Sequence, residues 1–267
     1  MISQFSELDI LPRPIAYVPT MGALHPGHYQ LLIAAKKYAK NSLLSIFVNP
    51  LQFENSSDLI NYPDSKDADM ELALAAEVDY LWFPKSAELY PDGYQIISAG
   101  EMGNIYEGAS RPGHFDGMLT VVARYLDLIK PDFMLMGEKD FQQLCIVKKY
   151  IEDRDIPTKL IPIPTVRLES GLAYSSRNSR LSESSIRFAA VIFQALVAAA
   201  NSKDRKEAIS KGMEILHKEE KFQLDYFEMI DSSNFQQVAE NQLGDRVICA
   251  GWIDGVRLID NLPVPRK

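Results

Sequence analysis

The sequence predicts a protein of the α/β class with two domains, and two observations predict it. Up to about residue 175, short apolar runs of β type alternate with stretches of helical periodicity. Strands separated by helices form a mostly parallel sheet that is covered on both faces. After residue 181 the pattern changes to two helical stretches followed by strand-like runs, which is typical of a smaller α+β domain.

The first region contains alternating strand and helix candidates. Strands are predicted at Ile15–Val18, Leu43–Val48, Tyr80–Phe83, Phe133–Met136 and Lys159–Ile163, and helices at about 28–40, 64–77, 116–129 and 140–152. This order predicts a Rossmann-like nucleotide-binding domain, in which ligands bind at the carboxyl ends of the strands. Polar segments do follow strand ends, at 19–28, 49–53 and 137–140. The position of these segments therefore agrees with the predicted fold.

The second region begins with a long apolar helix, which either Ser182 or Ser184 is predicted to cap and which runs to about Ala200. A charged helix follows at about 203–218. The strand-like runs are Leu224–Ile230, Arg246–Ala250 and Gly255–Asn261, ahead of a proline-containing tail. We therefore predict a nucleotide- and substrate-binding domain at 1–176 and a C-terminal lid domain at 177–267, with a hinge near 176–182.

Charge and composition exclude several classes of protein. The 267-residue chain has a formal net charge of −8, which argues against a nucleic-acid partner but leaves room for a local basic pocket. The N-terminal segment lacks a secretory signal pattern. No apolar run approaches the roughly 18 residues that span a bilayer, so no membrane partner is expected. Cys145 and Cys249 lie in apolar surroundings and are predicted to be buried thiols of a cytoplasmic protein.

The segment Pro19–His28 carries the strongest chemical signal. His25 and His28 flank a Pro-Gly pair at the predicted strand-to-helix turn. Free N–H groups and the positive end of the helix dipole at such a turn favour anions, and Gly22 and Gly27 permit positive φ or a close approach of the backbone. The alternative is that His28 caps the helix and His25 is an ordinary loop residue. The spacing favours the handling of a nucleoside triphosphate.

Two other segments carry groups that suit phosphate. Lys139, within Gly137-Glu138-Lys139-Asp140, can neutralise a phosphate as a point charge, and a solvated turn is the alternative. Ser175, Ser176 and Arg177 supply two hydroxyls and a guanidinium, a set that pairs well with phosphate oxygens. The alternative for these residues is an ordinary serine-rich linker.

Amides and carboxylates supply candidates for substrate and metal binding. Asn49 and Gln52 follow the second strand and suit a small polar substrate, although a simple turn is as consistent with them. Gln143, on the helix after Lys139, can pair with a carboxylate or hydroxyl. Asp67 and Asp69 can ligate Mg²⁺ that bridges nucleotide phosphates, but acids near a helix start are also common because of the helix dipole.

Assembled, these segments resemble the pantoate–β-alanine ligases, a family within the HxGH nucleotidylyltransferase superfamily. The histidine pattern alone would indicate only the superfamily, whereas the ordered set is specific to the family. The loop at 111–117 is assigned to packing and scaffold. The matching segments span nearly the whole chain: 19–28, 47–53, 90–93, 111–117, 137–143, 175–178 and 257–261.

The resemblance implies a two-step reaction. The carboxylate of pantoate attacks the α-phosphate of Mg·ATP, which gives enzyme-bound pantoyl adenylate and pyrophosphate. The amine of β-alanine then attacks the acyl carbon, which gives pantothenate and AMP for coenzyme A biosynthesis. The family also implies a homodimer. No nucleophilic side chain is required, because the substrate carboxylate attacks directly, so catalysis rests on positioned cations and hydrogen-bond donors.

The resemblance also implies roles for individual residues. Gln52 would contact pantoate and β-alanine, Gln143 would hold pantoate, and Asp69 would be the Mg²⁺ ligand. Asn49 is a further substrate-binding candidate. The catalytic candidates are His28, His25, Lys139 and Arg177, with His28 in the family's proton-donor role, although stabilisation of phosphate charge fits its residue type better. The residues expected to contact ATP are Met21, Gly22, Ala23, Leu24, His25, Pro26, Gly27, His28, Gly137, Glu138, Lys139, Asp140, Val166, Tyr174, Ser175, Ser176 and Arg177.

One residue departs from the family pattern, and two other functions stay open. Tyr174 stands where the family more often has an aliphatic residue or methionine. A superfamily member that adenylates a different acid would use the same histidines, so the amides must discriminate. A non-catalytic nucleotide-binding protein on the same fold is the second alternative, and it would be expected to lack one of the four catalytic candidates.

Overall fold

The computed structural model describes residues 1–2, 5–53, 59–60, 62 and 65–265. The chain divides into two compact units, one of Met1–Glu138 and Ile146–Pro164, the other of Lys139–Cys145 and Thr165–Lys267. We predicted a boundary at 176/177. The second unit takes in Lys139–Cys145 because Phe141 packs there: its ring centroid lies 6.1 Å from that of Phe235.

The first unit contains the predicted parallel sheet, with five strands in the order β3-β2-β1-β4-β5. The paired strands are parallel. Because β1 lies between β2 and β4, the carboxyl ends of these three strands are neighbours, as the prediction of a ligand site at this edge requires. The strands are β1 (Ile15–Thr20), β2 (Asn41–Ile46), β3 (Tyr80–Trp82), β4 (Phe133–Gly137) and β5 (Lys159–Ile163).

Helices follow the strands, as their spacing predicts. Leu32 and Ala35 of the first helix pack with Ala16, Val18 and Leu135 of the sheet in one buried cluster. The first helix ends earlier than predicted, and the predicted start of the second at 64 lies outside the described residues. The helices are α1 (Pro26–Ala35), α2 (Lys66–Ala75), α3 (Ser86–Leu89), α4 (Glu107–Ser110), α5 (His114–Ile129) and α6 (Phe141–Asp153).

The second unit contains a four-stranded antiparallel sheet in the order β7-β6-β8-β9 and two helices. Of the two predicted caps, Ser182 is the one used: its hydroxyl oxygen accepts the N–H of Ser185 at 3.1 Å. The last strand runs to Pro263, so that proline belongs to the sheet and not to a tail. The elements are α7 (Glu183–Ala200), α8 (Arg205–Leu216), β6 (Phe222–Asp231), β7 (Gln236–Gln237), β8 (Arg246–Ile253) and β9 (Val256–Pro263).

Within the described part of the chain, one helix, α7, is long and apolar enough to cross a membrane by length and composition. Its residues Ala189, Ile192 and Leu196 lie in the buried core of the second unit, so it is a core helix. Cys145 and Cys249 are not joined in a disulfide. Cys249 is buried as predicted, and burial raises the pKa of its thiol. The prediction is wrong for Cys145, which is only half-buried.

Candidate active site

The turn between β1 and α1 is capped by its own histidines. His25 is the N-cap residue of α1, and its Nδ1 accepts the N–H of Gly27 at 3.1 Å. The Nδ1 of His28 accepts the N–H of His25 at 3.3 Å. Pro26 occupies the first helical position, as predicted, where its missing N–H costs nothing. The two imidazole centroids lie 4.0 Å apart.

Capping fixes the tautomer of both imidazoles. A ring nitrogen that accepts a hydrogen bond carries no proton, so neutral His25 and His28 carry their protons on Nε2. The Nε2–H group of each ring is therefore its donor. Capping, which the sequence left open as an alternative for His28, is thus compatible with donation to a phosphate by the same side chain.

Asp69 holds the same turn from α2. The residue is 2% exposed, and its two carboxylate oxygens accept the N–H groups of Ala23 at 3.0 Å and Leu24 at 2.7 Å. The Ser65 hydroxyl donates to it at 3.1 Å. Gly22 and Ala23 have φ of +84° and +49°. The carboxylate therefore stabilises a left-handed backbone conformation that residues other than glycine rarely adopt. A Cβ on Gly22 would lie 2.9 Å from Oδ2 of Asp69.

These contacts bear on two predictions. The N–H groups of the turn are not free to bind an anion, because those of Ala23, Leu24, His25 and Gly27 all donate to side chains of the protein. The two buried oxygens of Asp69 accept three hydrogen bonds, which argues against its predicted role as a Mg²⁺ ligand. Among the described residues, no group of three His, Cys, Asp or Glu side chains is placed to hold a metal ion.

Asn49 and Gln52 form a buried amide pair after β2. The Asn49 Nδ2 donates to Oε1 of Gln52 at 3.0 Å, and the Asn49 Oδ1 accepts the hydroxyl of Tyr90 at 2.6 Å. Burial, with a smaller contribution from Tyr94, raises the pKa of Tyr90, so this hydroxyl stays a donor. The Nε2 of Gln52 lies 3.0 Å from Sδ of Met21. The structure thus brings together two predicted site residues from the ends of neighbouring strands.

The loop at 111–117 supports Gln52 from its main-chain side. The carbonyl oxygen of Gln52 accepts from Nδ1 of His114 at 2.8 Å and lies 3.4 Å from Nη2 of Arg111. Arg111 in turn lies 3.6 Å from the buried carboxylate of Glu107. A Cβ on Gly117 would lie 2.0 Å from a carbonyl oxygen of the Gln52 turn. These contacts agree with the predicted scaffold role of the loop.

Sequence reasoning missed two of these supporting residues. Glu107 lies outside every motif that we singled out, and nothing in its local pattern marks it. Tyr90 lies in the matched segment at 90–93, but no role was assigned to it. Its position before a Pro-Asp-Gly turn indicates a loop, not a partner for Asn49.

The second unit carries a separate basic pocket. Among its described lining residues, the cations are Lys139, Arg177 and Arg257, and Ser175 and Asp260 lie beside them. The Ser175 hydroxyl oxygen accepts the N–H of Arg177 at 3.2 Å, which fixes the start of the turn that carries the guanidinium. The net charge of −8 left room for such a local basic pocket, which suits an anionic ligand.

The remaining candidates divide between the units. Val166 and Tyr174 lie side by side in the second unit, because the N–H of Tyr174 donates to the Val166 carbonyl at 3.0 Å. Gln143 belongs to the second unit, whereas Gly137 and Glu138 belong to the first. Each unit therefore holds one group of candidate residues, and the contacts of these residues with ATP and substrates stay predictions.

The sequence matches one protein family over almost its whole length. A family model described as pantoate-beta-alanine ligase covers residues 3–263. A pantothenate synthetase from Acidothermus cellulolyticus is 40% identical over 262 residues, which cover 95% of this chain and 86% of that protein. One from Aquifex aeolicus is 39% identical over 262 residues, which cover 94% of this chain and 92% of that protein.

Solved structures give the same result. The structure is similar to a pantothenate synthetase from Thermus thermophilus, with a TM-score of 0.92, 38% identity and 99% of both chains covered. It is also similar to a pantoate-beta-alanine ligase from Francisella tularensis complexed with beta-gamma ATP and beta-alanine. That comparison has a TM-score of 0.80 and 37% identity, and covers 98% of this chain and 95% of the other.

Proposed function

This chain belongs to the pantoate-beta-alanine ligase family, and from that premise we propose how it joins (R)-pantoate to β-alanine. In the first step the carboxylate of pantoate attacks the α-phosphate of ATP, and pyrophosphate leaves. In the second step the amine of β-alanine attacks the acyl carbon of the pantoyl adenylate, and AMP leaves. The product is pantothenate, which places the reaction in coenzyme A biosynthesis.

The observation that carries this proposal is the fixed tautomer of His25 and His28. Displacement of pyrophosphate builds negative charge on the phosphate oxygens, and donors that are already oriented stabilise that charge best. An Nε2–H on each capped imidazole is such a donor. In this scheme His28 stabilises charge and does not need to transfer a proton.

Lys139 and Arg177 of the basic pocket are the second pair of groups that we propose to stabilise the negative charge on the phosphates. A lysine ammonium acts as a compact charge, while a guanidinium pairs with two phosphate oxygens at once. Ser175 and Ser176 supply hydroxyl donors beside them. Met21–His28, Gly137–Asp140, Val166 and Tyr174 complete the proposed set of ATP contacts.

The acid substrate is assigned to the amide pair. Gln52 would bind pantoate and β-alanine, because its side-chain amide and the Met21 thioether beside it suit a small hydroxy acid with an apolar backbone. Asn49 orients Gln52, and Gln143 is the second proposed contact of pantoate. We also propose that the enzyme is a cytoplasmic homodimer. Mg²⁺ stays a predicted cofactor, to be supplied with the nucleotide and not held by Asp69.

ATP–pyrophosphate exchange tests this proposal and its alternatives. Exchange measures formation of the acyl adenylate alone, so it should depend on pantoate and proceed without β-alanine. A panel of small carboxylic acids of similar size is the control. Exchange supported by another acid but not by pantoate would identify a different adenylating enzyme, and no exchange with any acid would point to a non-catalytic nucleotide-binding protein.

A further inference from the structure

The segment Arg257–Asn261 on β9 matched the family pattern, yet the proposed reaction gives Asp260 and Asn261 no task. In the structure Asn261 is 3% exposed, and its Nδ2 donates to the main-chain oxygen of Lys139 at 3.0 Å. The two residues are 122 positions apart in the sequence. Both belong to the second unit, so the contact lies within one compact body.

The side chain of Asn261 is itself oriented by Arg246. The Asn261 Oδ1 accepts from Nη1 of Arg246 at 2.8 Å, which assigns the amide nitrogen to the Lys139 side. The guanidinium of Arg246 also lies 3.7 Å from the ring centroid of Phe141. The turn that carries Lys139 is therefore attached to the C-terminal sheet at two points, one at Lys139 and one at the start of α6.

A buried ion pair anchors the neighbouring residue on β9. Asp260 pairs with Arg167 through both oxygens, at 2.5 and 3.0 Å, and its Oδ1 accepts the N–H of Asn261 at 2.8 Å. Burial raises the pKa of the Asp260 carboxyl, and the charges of Arg167 and Lys139 oppose that rise. Asp260 lines the same basic pocket as Lys139.

We propose that Asn261, oriented by Arg246 and Asp260, is a positioning residue that sets where Lys139 meets the nucleotide. This inference rests on the proposed function, because Lys139 is there an ATP contact. The amide fixes the carbonyl of Lys139 and with it the origin of a long side chain, whose ammonium also lies 3.3 Å from Asp140. Without the amide, the ammonium occupies more positions before ATP binds. Ordering it on binding then costs conformational entropy, which weakens the affinity for ATP. Pantoate binding should change little, because Gln52 is supported within the first unit. The start of α6, which carries Gln143, keeps its own contacts through Phe141 with Arg246 and Phe235.

Two variants of Asn261 test this inference. Asn261→Asp keeps the acceptor for Arg246 but replaces the donor to Lys139 by an oxygen, and Asn261→Ser shortens the side chain without adding charge. Loss of this hydrogen bond should raise the KM for ATP about fivefold to tenfold, with the KM for pantoate within about twofold of wild type. The dissociation constant of a non-hydrolysable ATP analogue should rise by the same factor.

Glu228→Gln is the matched control. Glu228 pairs with Arg205 through both oxygens, at 2.6 and 2.7 Å, in the same unit, but it does not line the basic pocket. This variant should lower the thermal unfolding midpoint and leave the KM for ATP unchanged. Equal increases in the KM for ATP in Glu228→Gln and in the Asn261 variants would overturn the inference, because the effect would then come from general loosening of the unit.

The inference also fails if folded Asn261→Ser and Asn261→Asp both bind the ATP analogue with wild-type affinity. Circular dichroism and the unfolding midpoint establish folding, and Asn261→Ser is the milder change if Asn261→Asp does not fold. A wild-type protein without pantoate-dependent pyrophosphate release would contradict the proposed function instead. The dissociation constant of the analogue would still decide the role of Asn261.

Discussion

The histidine turn of the first unit and the Lys139 turn of the second are held in opposite ways. In the histidine turn, the carboxylate of Asp69 accepts backbone N–H groups at 2.7 and 3.0 Å. In the Lys139 turn, the amide of Asn261 donates to a backbone carbonyl at 3.0 Å. The first turn also caps itself through His25 and His28, whereas the contact on Lys139 comes from a strand near the end of the chain.

Despite this difference, both turns leave the side chains that are proposed to bind phosphate out of the contacts that hold the distant partner residue. In both turns some backbone polar groups are satisfied by residues distant in sequence, 45 and 46 positions away for Asp69 and 122 for Asn261. The imidazoles and the ammonium then project from backbone that is already fixed, and preorganised donors lose little on binding. We expect loss of an imidazole or the ammonium to have the largest effect on the rate of adenylate formation. Loss of Asp69 or Asn261 should have a smaller effect, because these residues only hold the backbone of the turns in place.

The largest expected effect is the loss of the cation in the second turn. Lys139→Ala should lower the rate of adenylate formation by about 100-fold or more, because it removes a positive group from the transition state. Single-turnover release of pyrophosphate measures this rate. Lys148→Ala is the matched control, since Lys148 is an exposed lysine on α6, and it should react at the wild-type rate. A normal rate in Lys139→Ala would remove Lys139 from the mechanism.

His28 allows the donor to be separated from the cap. Asn is expected to keep an acceptor for the N–H of His25 but to lack the Nε2–H, so His28→Asn should lower adenylate formation by about 100-fold with nearly normal stability. His28→Ala should lose the same rate and about 1 kcal/mol of unfolding free energy in addition. His217→Ala, at an exposed position, is the control for both. Equal stability of the two His28 variants would argue against the capping contact.

Asp69→Asn should have a smaller effect on rate, because it disturbs the turn and not the donors. The variant places an amide NH₂ against one of the backbone N–H groups, which should lower the free energy of unfolding by about 2 kcal/mol. The same loss in the transition state corresponds to about a 30-fold lower rate of adenylate formation. The Mg²⁺ concentration for half-maximal rate should not change. Glu71→Gln removes an exposed charge from the same helix and should be neutral.

The opposite pattern for Asp69→Asn would restore the metal assignment. A large rise in the Mg²⁺ requirement with unchanged unfolding free energy would mean that Asp69 binds the ion. The structural role that we describe would then be wrong.

The smallest effect is expected for a methyl group next to Asp69. Gly22→Ala places a Cβ at φ +84° and 2.9 Å from the carboxylate, whereas Gly93→Ala has φ +80° and open space around it. In both variants, backbone strain should lower the free energy of unfolding by about 1 kcal/mol. Gly22→Ala should lose more and should also slow adenylate formation about fivefold, and the difference between the two variants measures the crowding. An identical loss of unfolding free energy in the two variants would mean that the Asp69 side chain moves away from the new methyl group at no cost.

Hydrophobic periodicity predicted the longer elements of the fold, because apolar spacing along the chain reflects which side chains are buried. It did not predict the short helices α3 and α4 or the two-residue strand β7. The five strands of the parallel sheet and the helices between them follow apolar runs that the chain itself displays. The pattern predicted two domains, but it did not show that Lys139–Cys145 belongs to the second unit. That assignment depends on the packing of Phe141 with Arg246 and Phe235, which are distant from it in sequence.

The candidate site divides in the same way. The residue types and spacing of His25, His28 and Lys139 marked them as phosphate-binding candidates, since such groups stand out in a short turn. The partners that fix them could not be found, because Asp69 and Asn261 meet their turns only through the fold. The prediction of free N–H groups failed for this reason: a sequence shows that a helix begins, but not which distant carboxylate occupies its entrance.

The most direct test of the account is a staged single-turnover experiment on the full chain. With ATP, Mg²⁺ and pantoate but no β-alanine, the account predicts release of one equivalent of pyrophosphate per active site and retention of the adenylate. Addition of β-alanine should then release AMP and pantothenate. Pyrophosphate that appears only after β-alanine is added would contradict the two-step reaction and the role assigned to both turns.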